Sequence, residues 1–265
     1  MKVSLLLLAL WTLAIVVLFA GSDRTHSQTN QLAAAGGLST AEGDLLIEIN
    51  SARTHPGVYA SYLEKLKPLF SGKVYAPSGQ EAYATQEGWS AVEEAMKFLR
   101  TAKPQGPLNM SPGLCLAAAT HVKDQSGTGA TGHKGADSTF IEERVKRFGN
   151  WQGGIGENLT YGNESARERV LTWLIDDGFV SRGHRMRIMS ENYRVAGVSC
   201  GPHPQFGAMC VLTLAGGFNE LQPAKPVTST KIDANTNSNT NAKDTKSRNT
   251  NSRKPVKSHA HSRSH

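Results

Sequence analysis

The chain lacks the features that define several large classes of protein. Its 265 residues hold 3 cysteines, too few for a fold held together by a disulfide lattice. Aromatic residues reach only 7% and charged residues 19%. Only the N-terminal stretch is apolar over a length that could enter a bilayer, so a multi-span membrane protein is excluded. No heptad, collagen period or repeat of roughly 20–50 residues occurs, which removes fibrous and solenoid folds. HExxH is absent, so no local motif marks a zincin.

The net charge of +7 is unevenly spread. Residues 221–265 hold nine Lys or Arg and two Asp. Subtracting these from the 29 bases and 22 acids of the whole chain leaves 20 of each in residues 1–220. The body is neutral, and a basic face for specific nucleic-acid binding is not expected on it.

The two ends differ from the middle. Met1-Lys2 precedes an 18-residue apolar run, VSLLLLALWTLAIVVLFA, and Ala20-Gly21-Ser22 supplies small residues for cleavage before Asp23. Residues 1–22 are read as a signal peptide, with an uncleaved membrane anchor as the alternative; both readings place the rest outside the cytoplasm. Residues 23–38 are a small, polar linker. Residues 221–265 contain no Phe, Tyr or Trp and are expected to be a disordered, basic, low-complexity tail. It is either a solvated spacer or a contact to anionic components of the cell envelope.

Residues 39–220 are read as one α+β domain. Ser39-Thr-Ala-Glu42 and Ser165-Ala-Arg-Glu168 are capping boxes opening helices, and Thr139-Phe-Ile-Glu142 is expected to cap another. Pro56 and Pro112 suit first helical turns, and a further helix runs from Trp89 to Leu99. Residues 71–87 are expected to be a loop. Trp173 sits at helical spacing from Val170 and Leu174 and belongs in a core. Near the end the period changes to two: Tyr193–Cys200 and Gly207–Leu214 alternate around the turn GPHPQF, a hairpin signal. Ile155–Tyr161 is a shorter strand. The hairpin sets Cys200 and Cys210 opposite one another, and export permits a disulfide. Cys115, beside Leu114 and Leu116, is read as a buried small hydrophobe.

Four polar residues stand out in glycine-rich and strand-flanking segments: His133 in GHKG, Glu157 in GEN, Asp176 in WLIDDG and His184 in RGHR. Two imidazoles and two carboxylates are a ligand set for zinc or a similar divalent metal, with four unrelated surface or capping residues as the plain alternative. His121 and Asp124 share a helix face, and His121 is read as a hydrogen-bonded structural residue, with a place in the lining of the cleft as the alternative. Arg185 and Arg187 flank His184, as anion contacts or solvated surface groups.

The order of Asn50 with Arg53, GHKGAD, GENLTYG, VLTW, RGHR and AGVSCG resembles the CAP superfamily, over roughly residues 40–218. That superfamily takes in cysteine-rich secretory proteins, antigen 5, pathogenesis-related proteins and bacterial secreted SCP domains; GHR and the few cysteines resemble the bacterial branch. The resemblance implies a three-layer α-β-α sandwich around a small antiparallel sheet. It also implies a cleft whose metal ligands are His133, Glu157, Asp176 and His184. Asp stands where the family usually has Glu, which shortens the reach by one methylene, and Asp177 is the fallback. Asn158 would brace a ligand through its amide. The function implied is a secreted binding module with a small molecule, lipid or envelope polymer in the cleft. The alternative is a metal-dependent hydrolase with Glu157 as general base.

Overall fold

The computed structural model describes residues 37–79 and 81–221. The signal segment, nearly all of the 23–38 linker and the tail beyond Leu221 lie outside the described residues. Helix α1 (Thr40–Thr54) opens on Ser39, whose Oγ and backbone N–H both meet Glu42, as the capping box requires. It buries Leu45, Leu46 and Ile49. Helix α2 (Pro56–Glu64) carries Pro56 in its first turn, where the missing N–H costs nothing.

Where a loop is expected, three two-residue strands pair antiparallel: β1 (Phe70–Ser71), β2 (Val74–Tyr75) and β3 (Tyr83–Ala84). They carry no alternation to read. Ring packing accompanies the backbone pairing, with Phe70 and Tyr75 centroids 4.7 Å apart and Tyr75 and Tyr83 5.6 Å apart.

Helix α3 (Trp89–Thr101) buries Ala91, Val92, Ala95, Met96 and Leu99. The strand β4 (Asn109–Met110) leads into α4 (Pro112–Thr128), capped by the Ser111 hydroxyl, which accepts from Leu114 N–H. Helix α5 (Ile141–Lys146) starts one residue later than the capping-box reading: Glu143 accepts from Phe140 N–H at 3.0 Å. The Thr139 hydroxyl is drawn away, donating to Asp137 at 2.6 Å. Strand β5 (Gly149–Tyr161) is longer than expected because a bulge between Gln152 and Ile155 interrupts its period.

Helix α6 (Ala166–Ile175) has the Ser165–Glu168 capping box, and α7 (Gly183–Ile188) follows. Strands β6 (Val195–His203) and β7 (Gly207–Glu220) form the expected hairpin. Cys200 and Cys210 are direct cross-strand partners and are joined by a disulfide.

The sheet order is β4-β6-β7-β5. β5, β7 and β6 run antiparallel, but β4 pairs parallel to β6, so the sheet is mixed where an antiparallel one was expected. The cause is local: Asn109 N–H donates to Arg194 C=O and Ser111 N–H to Ala196 C=O just before α4 begins.

Strand alternation divides the core between the two faces of the sheet. Ala196, Val198, Leu212 and Leu214 pack with α1, α2, α3 and α6, where Trp173 is buried. Ala215, Met209 and Val211 pack on the other face, against Leu114, Ala117, Ala118 and Val122 of α4. The result is the α-β-α sandwich. A Cβ at Gly197 would sit 2.0 Å from the carbonyl carbon of Leu114, so glycine lets α4 lie directly on β6.

Candidate functional site

Glu157 points from β5 toward the α4–α5 layer. Its side chain is 3% exposed, as is that of Arg144 from α5. Arg144 Nη2 donates to both carboxylate oxygens, at 2.9 and 2.8 Å. The Nη1 of the same guanidinium donates to the carbonyls of His133 and Thr139, at 3.1 and 3.2 Å. His133 Nδ1 lies 2.9 Å from Glu157 Oε1, with its ring 44% exposed. Burial pushes the Glu157 carboxyl up, but the His133 hydrogen bond and the Arg144 charge outweigh it and hold the group below its ordinary value. Glu157 is therefore a carboxylate, and Nδ1–H of His133 donates to it.

The glycine-rich segment that carries His133 is pinned by one face of α4. His121 Nε2 lies 2.9 Å from Gly132 O, Gln125 Nε2 donates to the same oxygen at 2.6 Å, and Asp124 accepts from Ala136 N–H at 2.9 Å. Tyr161 Oη accepts from Gly132 N–H and donates to Gln125 Oε1. His121 is fully buried, in agreement with its structural reading, and its Nδ1 has no partner. A cavity of about 450 Å³ opens beside this group, lined by His121, Asp124, Thr139 and Arg144 among others.

Asp176 and His184 form a second acid–histidine pair. Asp176 ends α6 in the left-handed region, φ 56°, which Asp tolerates better than most residues. Its carboxylate accepts from His184 Nδ1 at 2.6 Å, His184 N–H at 2.8 Å and Arg185 N–H at 3.3 Å. Asp177 does other work, capping the N–H groups of Gln86 and Glu87 at 2.6 and 2.8 Å. The acid that meets His184 is thus Asp176. Phe179 stands edge-on to the His184 ring, centroids 5.0 Å apart.

Asn158 links the two halves. It follows Glu157 on β5 and so projects to the opposite face, where its Nδ2 donates to His184 C=O at 3.1 Å. Gly156, on that same face, leaves the space that a Cβ would take 2.7 Å from Tyr193 Oη.

Several residues here carry no sequence signal. Arg144 lies in an exposed-looking EERVK run. Arg182 donates to both Glu87 oxygens at 2.6 Å and to Glu94 at 3.0 Å. Arg185 is buried beneath Glu94, so it is neither a solvated arginine nor an open anion contact. These ion pairs fasten the 176–185 segment to the start of α3. The sign and spacing of such residues reveal nothing until the chain is folded.

The four polar residues are brought together as two pairs. Among the described residues, no three His, Cys, Asp or Glu side chains are grouped as a metal ion would require. Each Nδ1 is already hydrogen-bonded to its acid, and both Glu157 oxygens are engaged by Arg144. The set as folded does not fit a four-ligand metal centre. A carboxylate held by a guanidinium is also a weak proton acceptor, which does not suit Glu157 to a general-base role. What the geometry leaves open is Nε2 on each histidine, with the tautomer set by the carboxylate behind it.

A family model described as the cysteine-rich secretory protein family, CAP, matches residues 71–214. A comparison with curated proteins gives no match. Among solved structures, an extracellular protein containing an SCP domain from Bacillus anthracis is 16% identical with a TM-score of 0.35, over 57% of this chain and 43% of that one. An outer surface protein from Borrelia burgdorferi is 15% identical with a TM-score of 0.35, over 48% and 86%. A cysteine-rich secretory protein from Staphylococcus aureus is 14% identical with a TM-score of 0.31, over 58% and 48%. The chain thus spans under half the length of the first and third of these proteins. With the family model covering more than half of its residues, the chain belongs to the CAP family of cysteine-rich secretory proteins.

Proposed function

We propose that the chain is an extracytoplasmic binding module whose recognition surface is built around His133 and His184. The observation that carries this reading is the shared design of the two pairs. Each imidazole is oriented through Nδ1 by a buried carboxylate and keeps Nε2 free to meet a ligand. Burial pushes the Cys115 thiol up to about 11, which does not suit it to act as an activated nucleophile. Export is supported by the signal-like segment and by the Cys200–Cys210 disulfide, which an oxidising compartment favours. Among the described residues no helix is long and apolar enough to cross a membrane. The ligand class is a small molecule, a lipid or an envelope polymer, and the basic tail adds an electrostatic contact to anionic envelope components.

The test is retention of the full chain on isolated cell envelopes. His133→Ala with His184→Ala is expected to lower retention at every salt concentration. Deletion of residues 221–265 should remove only the salt-sensitive part. Unchanged retention in the double variant ends the binding reading. Turnover of ester, peptide or peptidoglycan substrates that disappears in Glu157→Gln would replace it with the hydrolase.

A further inference from the structure

We infer that Arg144 is the resident cation of the Glu157 carboxylate and keeps a divalent metal from using that carboxylate as a ligand. This goes beyond the proposed binding role and does not depend on it. The guanidinium already occupies the two carboxylate oxygens that a metal at Glu157 would need. Nη2 sits 2.9 and 2.8 Å from the two Glu157 oxygens, and His133 Nδ1 takes a further position on Oε1 at 2.9 Å. Both Arg144 and Glu157 are sequestered, each side chain 3% exposed, so little water screens the charges that an incoming ion would meet.

Two routes could bring a metal onto the Glu157 carboxylate, and the geometry opposes both. In the first, a divalent ion binds beside Arg144 and sets like charges against each other in a poorly solvated site. In the second, Arg144 swings away. That would strip the carbonyls of His133 and Thr139 of their donor and leave a guanidinium buried without its counter-ion. The same contacts mean that Arg144 does the positioning a metal would otherwise do. It holds the backbone of His133 while neutralising the acid that orients the ring. The His133 imidazole is therefore set with Nδ1–H toward Glu157 and Nε2 outward, with no metal required.

The experiment uses the full chain, stripped with EDTA and titrated with zinc chloride. The readouts are melting temperature and the long-range proton–nitrogen correlations of the imidazoles. The His133 tautomer is expected to be the same before and after zinc. In Arg144→Gln, which removes the charge but keeps a donor, zinc should raise the melting temperature by roughly 5 °C or more at a hundredfold excess over Kd. Arg144→Lys, which keeps the charge, should stay indifferent to zinc. A stoichiometric zinc-induced shift of the wild-type His133 nitrogens, lost in Glu157→Gln, would overturn the inference. So would a folded Arg144→Gln protein that ignores zinc. A zinc effect that survives His133→Ala arises at other histidines and leaves the inference standing. If Arg144→Gln fails to fold, the wild-type tautomer decides alone.

Discussion

Asn50 and Leu108, 58 residues apart, exchange two hydrogen bonds as if they were strand partners: Leu108 N–H donates to Asn50 Oδ1 at 2.7 Å, and Asn50 Nδ2 donates to Leu108 C=O at 3.0 Å. One turn along α1, the buried Arg53 donates to the carbonyls of Gly106, Ile188, Ser190 and Tyr193. Together they tie α1 to two irregular segments whose backbone groups have no sheet to join. Asn50→Ala is expected to lower stability by about 1–3 kcal/mol, because it orphans both Leu108 groups at once. Arg53→Met should cost at least as much while preserving the volume of the stem. Urea denaturation with an unchanged m-value is the measurement. Losses near zero in both would show that water takes over these bonds.

The Cys200–Cys210 bridge spans 10 residues of the hairpin. Replacing both cysteines by serine is expected to cost about 2–3 kcal/mol, the chain-entropy contribution of so short a loop. A thiol count gives a second check. The native protein should expose one slowly reacting thiol, Cys115, held back by burial that raises its pKa to about 11. Reduction followed by denaturation should release all 3. Three free thiols in the native, exported protein would contradict the bridge.

The parts of this fold that were readable in the sequence are those written in local code. Ser39 and Ser165 cap their helices because the hydroxyl and the Glu three residues later complete each other within one turn. The β6–β7 hairpin follows from period-two alternation and a short turn, and it sets the two cysteines in register. The 70–84 mini-sheet was missed because two-residue strands carry no period. Arg144 was missed for a different reason. Its partners, His133, Thr139 and Glu157, meet it only once α5 lies on β5. The family motifs pointed to all four histidine and acid residues, but spacing along the chain could not tell a ring of four ligands from two separate pairs.

Asp176→Asn separates the charge of that residue from its backbone role. Asn also tolerates the left-handed conformation that ends α6, so the turn should survive. The amide oxygen can still accept from the His184 backbone N–H, but it lacks the charge that strengthens the 2.6 Å bond from Nδ1–H. A loss of about 1–2 kcal/mol is expected. The more telling sign is a greater share of the Nε2–H tautomer of His184 in the imidazole nitrogen spectrum. Asp177→Asn should leave that tautomer untouched, since Asp177 caps Gln86 and Glu87 instead. A shift of equal size in both variants would show that the tautomer is not set by Asp176.

Acid should unfold the domain in two stages that belong to one cluster. Burial holds the His121 imidazole below its ordinary 6.5; Glu157 and Asp124 oppose this shift and Arg144 adds to it. The unfolded chain therefore binds a proton at His121 more readily than the fold does. The stability it contributes is complete above 6.5 and falls as pH drops from there toward the lower folded value. Glu157, held below its ordinary 4.5, contributes stability above that value, which is lost as pH falls through its own folded pKa. Urea midpoints measured from about pH 8 to about pH 4 should show a plateau, a first decline near 6.5 and a second, steeper one below 4.5. His121→Gln, which can still donate to Gly132 C=O, should erase the first decline and keep the second. A first decline of full size in that variant would move its origin to another histidine and leave the buried His121 without a role in acid sensitivity.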